Sequence, residues 1–196
     1  MSSSPNFNSN FIIKKPNKNY WNGLLNNSLS PLTDRSIQGQ YSPGSTYKMI
    51  VAIAALKYGL VDKNKKFSCE GKINFGDRLF HCWKTNGHGE MNIITAIKES
   101  CDVYFYELAI RVGIDKIAKV AKDFGLGQIY PLQLQNQKKG IVPSKKWKKQ
   151  NLKENWYGGE TLIAAIGQGY VLATPLQLAV MTSRIASGGK KILPSI

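Results

Sequence analysis

Eight consecutive apolar residues, Met49-Ile50-Val51-Ala52-Ile53-Ala54-Ala55-Leu56, constrain this chain more than any other stretch. They lie in a helix that the pattern predicts from Ser45 to about Tyr58, with Gly59 as its stop. The run is far short of the ~20 residues a membrane-spanning helix needs, so its apolar surface has to be buried inside a folded domain. The composition agrees: 42% hydrophobic and 20% charged residues in a chain of 196 make one sizeable core and do not match a disordered chain. The N-terminal MSSSPNFNSNF is polar and lacks the basic-then-apolar order of an export signal.

The first 40 residues, rich in Asn, Ser and Pro, read as loop with short extended pieces. Residues 62–90 are rich in Gly and Lys with scattered aromatics, and predict short strands and loops. A long helix is expected from about Asn92 to Val112, stopped by Gly113, and another from an N-cap at Asp115 to Phe124. Residues 127–156 read as an irregular, basic surface excursion. A helix near 159–166 leads into Gly167-Gln168-Gly169. The last helix is the best capped, with Thr174 as N-cap, Pro175 at N1 and apolar residues through Ile185. The C-terminal KKILPSI reads as the beginning of a strand, and no internal repeat is present.

Ser45 and Lys48 stand at i and i+3 where the apolar helix begins. A serine hydroxyl there lies near unpaired backbone N–H groups and the positive end of the helix dipole. A lysine one turn on shares its face, and if partly buried it can take the serine proton. The result is an activated nucleophile without histidine. The bare spacing is cheap, since Ser187-Gly188-Gly189-Lys190 fits it too, and an N-cap serine beside a surface lysine is the plain alternative. Context favours the chemical reading: Pro43-Gly44 precedes, an apolar helix follows, and Ser100-Cys101-Asp102 comes 55 residues on. On one continuous helix, neighbouring positions point about 100° apart, so a catalytic face and a metal face can share one turn.

The net charge of +15 invites a nucleic-acid reading, but 23 lysines against 4 arginines weaken it. Phosphate and base recognition lean on arginine's planar fork. The lysines are scattered, densest at Lys145, Lys146, Lys148 and Lys149, and fit a solvated basic surface; no nucleic-acid partner is expected. Three cysteines, Cys69, Cys82 and Cys101, allow one disulfide plus a thiol, three thiols, or a metal site. The order Cys69-x12-Cys82-x5-His88-x12-Cys101 supplies three thiolates and an imidazole, a complete tetrahedral set for Zn²⁺. Cys69 and Cys101 as buried small hydrophobes is the alternative.

Pro43-Gly44-Ser45-Thr46-Tyr47-Lys48 followed by Ser100-Cys101-Asp102 resembles the penicillin-binding transpeptidases, in particular the elongation-type class B group of penicillin-binding protein 2. Pro31-Leu32-Thr33-Asp34-Arg35 through Gln38-Gly39, His88-Gly89, Ile166-Gly167-Gln168-Gly169-Tyr170 and Thr174-Pro175-Leu176-Gln177-Leu178-Ala179 resemble that family's blocks in its order, so the likeness covers nearly the whole chain. It implies an α+β, penicillin-binding/β-lactamase-like transpeptidase fold, here mostly its helical part with the central antiparallel sheet incomplete. It implies Ser45 as the acylated nucleophile, Lys48 as its base, and Ser100 as a proton shuttle toward the leaving group. Asp102 stands where many relatives have Asn, and the Ser45 N–H would supply half of the oxyanion hole.

The substrate would be the D-Ala-D-Ala end of a peptidoglycan stem peptide on a lipid-linked precursor, and β-lactams would acylate the same serine. Partners would be a glycosyltransferase and elongation-complex membrane proteins, at the periplasmic face of the bacterial inner membrane. The family's third motif, Lys-Thr-Gly on a strand after the last helix, has no match here, because no basic residue precedes Thr-Gly or Ser-Gly. Met1-Ser2-Ser3-Ser4-Pro5 resembles the end of the first catalytic-domain strand. Residues 1–196 are therefore expected to be a partial transpeptidase domain without anchor, non-catalytic domain or third motif, and inactive alone. A non-catalytic remnant or zinc-stabilised interaction module is the alternative. Some relatives in this group carry zinc ligands in this region. Positions matching Cys82, His88 and Cys101 align with them; Cys69 is inferred and His81 is the reserve ligand. Such a zinc would be structural, pinning the 69–90 loops to the segment that carries Ser100.

Overall fold

The computed structural model describes residues 3–13 and 17–195. Three short helices come first, α1 (Asn10–Ile13), α2 (Lys18–Leu25) and α3 (Arg35–Gln38). The expectation of loop with short extended pieces is thus corrected: the short pieces are helical. The reason is local capping: Asn17 accepts the N–H of Asn19 at 2.9 Å and Asp34 that of Ser36 at 2.9 Å. Ser3–Pro5 form no strand, and Met1 and Ser2 lie outside the described residues.

A 3₁₀ turn, Gly44–Tyr47, runs directly into α4 (Lys48–Lys57). Two antiparallel pairs follow: β1 (Phe67–Cys69) with β4 (Gly89–Met91), and β2 (Lys72–Phe75) with β3 (Arg78–His81). Together with isolated bridges Tyr41–Ala173 and Ile141–Leu172, these are the β-structure of the described residues. No central sheet forms among them, and the molecule is mainly its helices.

The predicted helix 92–112 is two helices, α5 (Ile93–Lys98) and α6 (Asp102–Val112), broken at Glu99-Ser100-Cys101. Ser100 takes the left-handed conformation, φ +51°. Its N–H donates to Ile97 O at 3.2 Å and that of Cys101 to Ala96 O at 3.0 Å, so α5 is closed before α6 starts. Cys101 is the N-cap of α6, and Asp102 sits in the first turn, where the dipole favours an anion.

Helix α7 (Ile114–Asp123) is capped by Gly113 instead of Asp115. The Asp115 carboxylate accepts the N–H of Lys145 at 3.0 Å, tying α7 to α8 (Lys145–Leu152). The supposed surface excursion therefore contains a helix, and Lys148 on it is buried. Its ammonium donates to Glu160 and lies 4.8 Å from the Tyr157 ring centroid. Helix α9 (Gly158–Ala165) follows, then α10 (Pro175–Ala186), whose Thr174 N-cap and Pro175 at N1 fall where the sequence predicts, with Gln177 completing a capping box. Residues 190–195 form no strand; Ile192 O takes the Arg184 Nε–H at 3.0 Å, which folds the segment back on α10.

The core lies where α6 packs between α4 and α9, with α7 against α4. Ile50, Ala54 and Ala55 of α4, Phe105, Leu108 and Ala109 of α6, and Leu162 and Ala165 of α9 belong to one core cluster, all fully buried. Helix α6 is buried almost all round, as a central helix must be. Two helix N-termini, of the 3₁₀ turn into α4 and of α6, thereby meet at one edge of this core.

Candidate active site and metal centre

Gly44, Ser45, His81, Cys82, Trp83, Ser100, Asp102, Tyr106, Ile166 and Gln168 line a cleft of about 670 Å³ where those N-termini meet. Ser45 is placed by a close crossing of two backbones. The Gly44 N–H donates to Gly167 O at 3.0 Å. A Cβ on Gly167, at φ +70°, would come within 2.2 Å of Gly44 O and 2.7 Å of Gly44 N. Only glycine at 167 lets the α9–α10 connection touch the turn that carries Ser45.

All four residues of the predicted acyl-transfer set come together. Ser100 Oγ–H donates to Ser45 Oγ at 2.8 Å, and Lys48 Nζ donates to Ser100 Oγ at 3.0 Å. The same ammonium donates to Ser100 O at 2.8 Å and Asp102 Oδ1 at 2.6 Å. Lys48 is 2% exposed, so these three bonds replace its water. The expectation that Lys48 touches Ser45 directly is altered: among the described residues, Ser100 stands between them. The arrangement can relay one proton along Ser45–Ser100–Lys48 while Asp102 balances the charge.

The predicted metal set also converges. Ligand atoms of Cys69, Cys82, His88 and Cys101 all lie within 4.8 Å of one another. His88 Nδ1 is 3.5 Å from Cys69 Sγ and 3.6 Å from Cys82 Sγ. Ligands at ~2.1 and ~2.3 Å on a tetrahedral Zn²⁺ would be about 3.5 Å apart, so the spacing fits. Burial, with Lys84 nearby, pulls the His88 pKa below its usual value and keeps the imidazole neutral, as a ligand must be. Burial pushes the Cys101 thiol well up. His81, the reserve, is exposed on β3 and takes no part in the group.

Sequence reasoning missed Trp83, Tyr106 and Gln168 in the cleft. Tyr106 donates its hydroxyl to His81 O at 3.2 Å, holding β3 against α6, and by its spacing alone reads as ordinary core. Trp83 could have been noticed as a large aromatic directly after a candidate ligand.

The transpeptidase domain of the penicillin-binding proteins matches residues 1–196. The peptidoglycan D,D-transpeptidase MrdA of Acinetobacter baumannii is 40% identical over 196 residues, 99% of this chain and 29% of that protein. The structure of Pseudomonas aeruginosa PBP2 in complex with WCK 5153 superposes with TM-score 0.95 at 36% identity, covering 100% of this chain and 45% of that one. PBP2 in its complex with MreC from Helicobacter pylori gives TM-score 0.94 at 37% identity, covering 98% of this chain and 36% of that one. The chain thus spans under a third of the MrdA protein's length.

Proposed function

We propose, from the premise that the chain belongs to the penicillin-binding protein transpeptidase family, that it carries the acylation machinery of an elongation-type peptidoglycan D,D-transpeptidase. The observation that carries this reading is the unbroken chain Ser45 Oγ–Ser100 Oγ–Lys48 Nζ, with steps of 2.8 and 3.0 Å.

In this reading Ser45 Oγ attacks the carbonyl carbon between the two terminal D-alanines of a stem peptide. Its proton passes to Ser100 Oγ, whose own proton passes to Lys48 in the neutral form. The developing oxyanion meets the Ser45 N–H, which lies in the first turn where no intrahelical carbonyl takes it. As the C–N bond breaks, the proton returns through Ser100 to the departing D-alanine amine, leaving an ester on Ser45. The amine of a second stem peptide then attacks the ester and frees Ser45. The arrangement present, with Lys48 donating to Ser100 and Ser100 to Ser45, suits the step in which protons flow outward. The inward step starts instead from the neutral amine of Lys48, freed of the proton that its ammonium holds against Asp102, and from a turn of each hydroxyl.

A β-lactam, itself a strained amide, would acylate the same oxygen. As for H. pylori PBP2, an MreC-type protein is the expected assembly partner, and membrane attachment at the periplasmic face is the expected setting. Among the described residues no helix is long and apolar enough to cross a membrane. A Zn²⁺ held by Cys69, Cys82, His88 and Cys101 would be closed and structural, fastening β1, the end of β3 and the following loop to the start of α6. Labelling with a fluorescent penicillin tests the acylation reading. The label should sit on the Ser45 peptide and vanish in Ser45→Ala; label retained in that variant overturns it. Metal analysis tests the zinc: less than half an equivalent, with three thiols titrating freely, rules it out.

A further inference from the structure

Trp83 follows a metal-type ligand and stands at the lip of the cleft, its residue 63% exposed. Both of its N–H groups are nonetheless committed to the junction between α5 and α6. The backbone N–H donates to Asp102 Oδ2 at 3.0 Å. The indole N–H reaches Ser100 O at 3.1 Å and Glu99 O at 3.2 Å. Ser100 O is the same carbonyl that takes the Lys48 ammonium, and Asp102 is the same carboxylate that pairs with it. A ring so open to water gains little by burial, so its anchoring comes from these donors and from an edge contact with the His88 ring, centroids 5.3 Å apart.

Ser100 needs an anchor because φ +51° is a conformation that costs a non-glycine residue free energy. Relaxed toward the helical region, its peptide would swing and carry the hydroxyl away from Ser45. Lys48 restrains the Ser100 carbonyl from inside the core; the indole restrains it from the solvent side.

We propose that Trp83 is a positioning residue for acylation, clamping the left-handed Ser100 turn through its indole N–H and the Asp102 carboxylate through its backbone N–H. The catalytic consequence rests on the transpeptidase reading; the clamp itself does not. The Trp83 ring closes the outer side of the turn, and its peptide directly follows Cys82 of the metal group just past the end of β3, so loop and nucleophile are aligned by one residue.

Trp83→Phe keeps the ring and removes the indole donor, and is measured in the intact protein. Its acylation rate constant for fluorescent penicillin should fall about tenfold while the non-covalent affinity holds. Hydrogen exchange at the Ser100 and Cys101 amides should speed by a similar factor, with zinc content unchanged and the thermal midpoint within a few degrees. Trp83→Ala removes the ring as well, so it should speed exchange and slow acylation at least as much as Trp83→Phe. Unchanged exchange in Trp83→Phe overturns the clamp, and faster exchange with unchanged acylation overturns its catalytic role. A wild-type protein that penicillin does not acylate overturns the transpeptidase reading, and the exchange measurement then decides the clamp alone.

Discussion

Replacing Gly167 by alanine tests how tightly the nucleophile's turn is held from behind. The new Cβ would stand 2.2 Å from Gly44 O and 2.7 Å from Gly44 N, both backbone atoms that cannot rotate aside. The turn must move, and the Gly44 N–H bond to Gly167 O, 3.0 Å, is lost with it. Two costs add. Holding a non-glycine residue near φ +70° costs roughly 1–2 kcal/mol. Losing the hydrogen bond, with its groups partly cut off from water, costs about 1–2 kcal/mol more.

Gly188→Ala is the control. Its φ is +72° and nothing lies within 4 Å of the place its new methyl would take, so it carries the conformational cost alone. Any gain from a stiffer unfolded chain is common to both and cancels. For a chain of this size each kcal/mol shifts the thermal midpoint by about 2–4 °C. Gly188→Ala should therefore lower it by about 2–8 °C and Gly167→Ala by about twice as much, about 4–16 °C, read by circular dichroism. Penicillin acylation should fall in Gly167→Ala and hold in Gly188→Ala. Midpoints equal within about 2 °C, together with equal acylation, would refute the idea that this crossing positions Ser45.

Lys48→Met should lower acylation by about 100- to 10,000-fold, since it removes the base, and stopped-flow labelling measures it. Leu108→Ala should cost about 2–5 kcal/mol in urea unfolding, because Leu108 is fully buried between α4 and α9; a loss under about 1 kcal/mol would contradict that packing. The metal-free protein should lose stability with rising pH above about 9. Burial holds the folded Cys101 thiol protonated while the unfolded one ionises, so the folded state binds more protons there. The slope is about 1.4 kcal/mol per pH unit for that thiol. Tyr47 and Tyr106, also pushed up by burial, add to the slope from about pH 10. Chelator-treated unfolding curves check the sign, and Cys101→Ala should remove the share that starts near pH 9.

Much of the site was legible because its chemistry is local in sequence. Ser45 and Lys48 share one helical turn, and the start of α10 needs only Thr174 as N-cap and Pro175 at N1. The break at Ser100 was not legible. Apolar spacing continues through residues 93–112, and what interrupts it is distant: Lys48 and Trp83 both bond the Ser100 carbonyl. Lys148 was misjudged for the same reason, since its partners Glu154 and Glu160 and the rings of Tyr157 and Tyr170 follow it in the chain and only folding gathers them. Periodicity reports which face meets a core, and it is silent on which polar atoms the core has to satisfy.

The Ser100 turn also sets which residues could ever replace it. Its left-handed backbone admits glycine readily, asparagine and aspartate with some ease, and β-branched residues hardly at all. Its place in the proton relay admits only a side chain with a short hydroxyl, serine or threonine. Threonine fails the first filter and glycine the second, so the two sets intersect at serine alone. In a saturation library, exposed Lys98 and Glu99 should accept most replacements, and position 100 should accept none that still forms the acyl-enzyme.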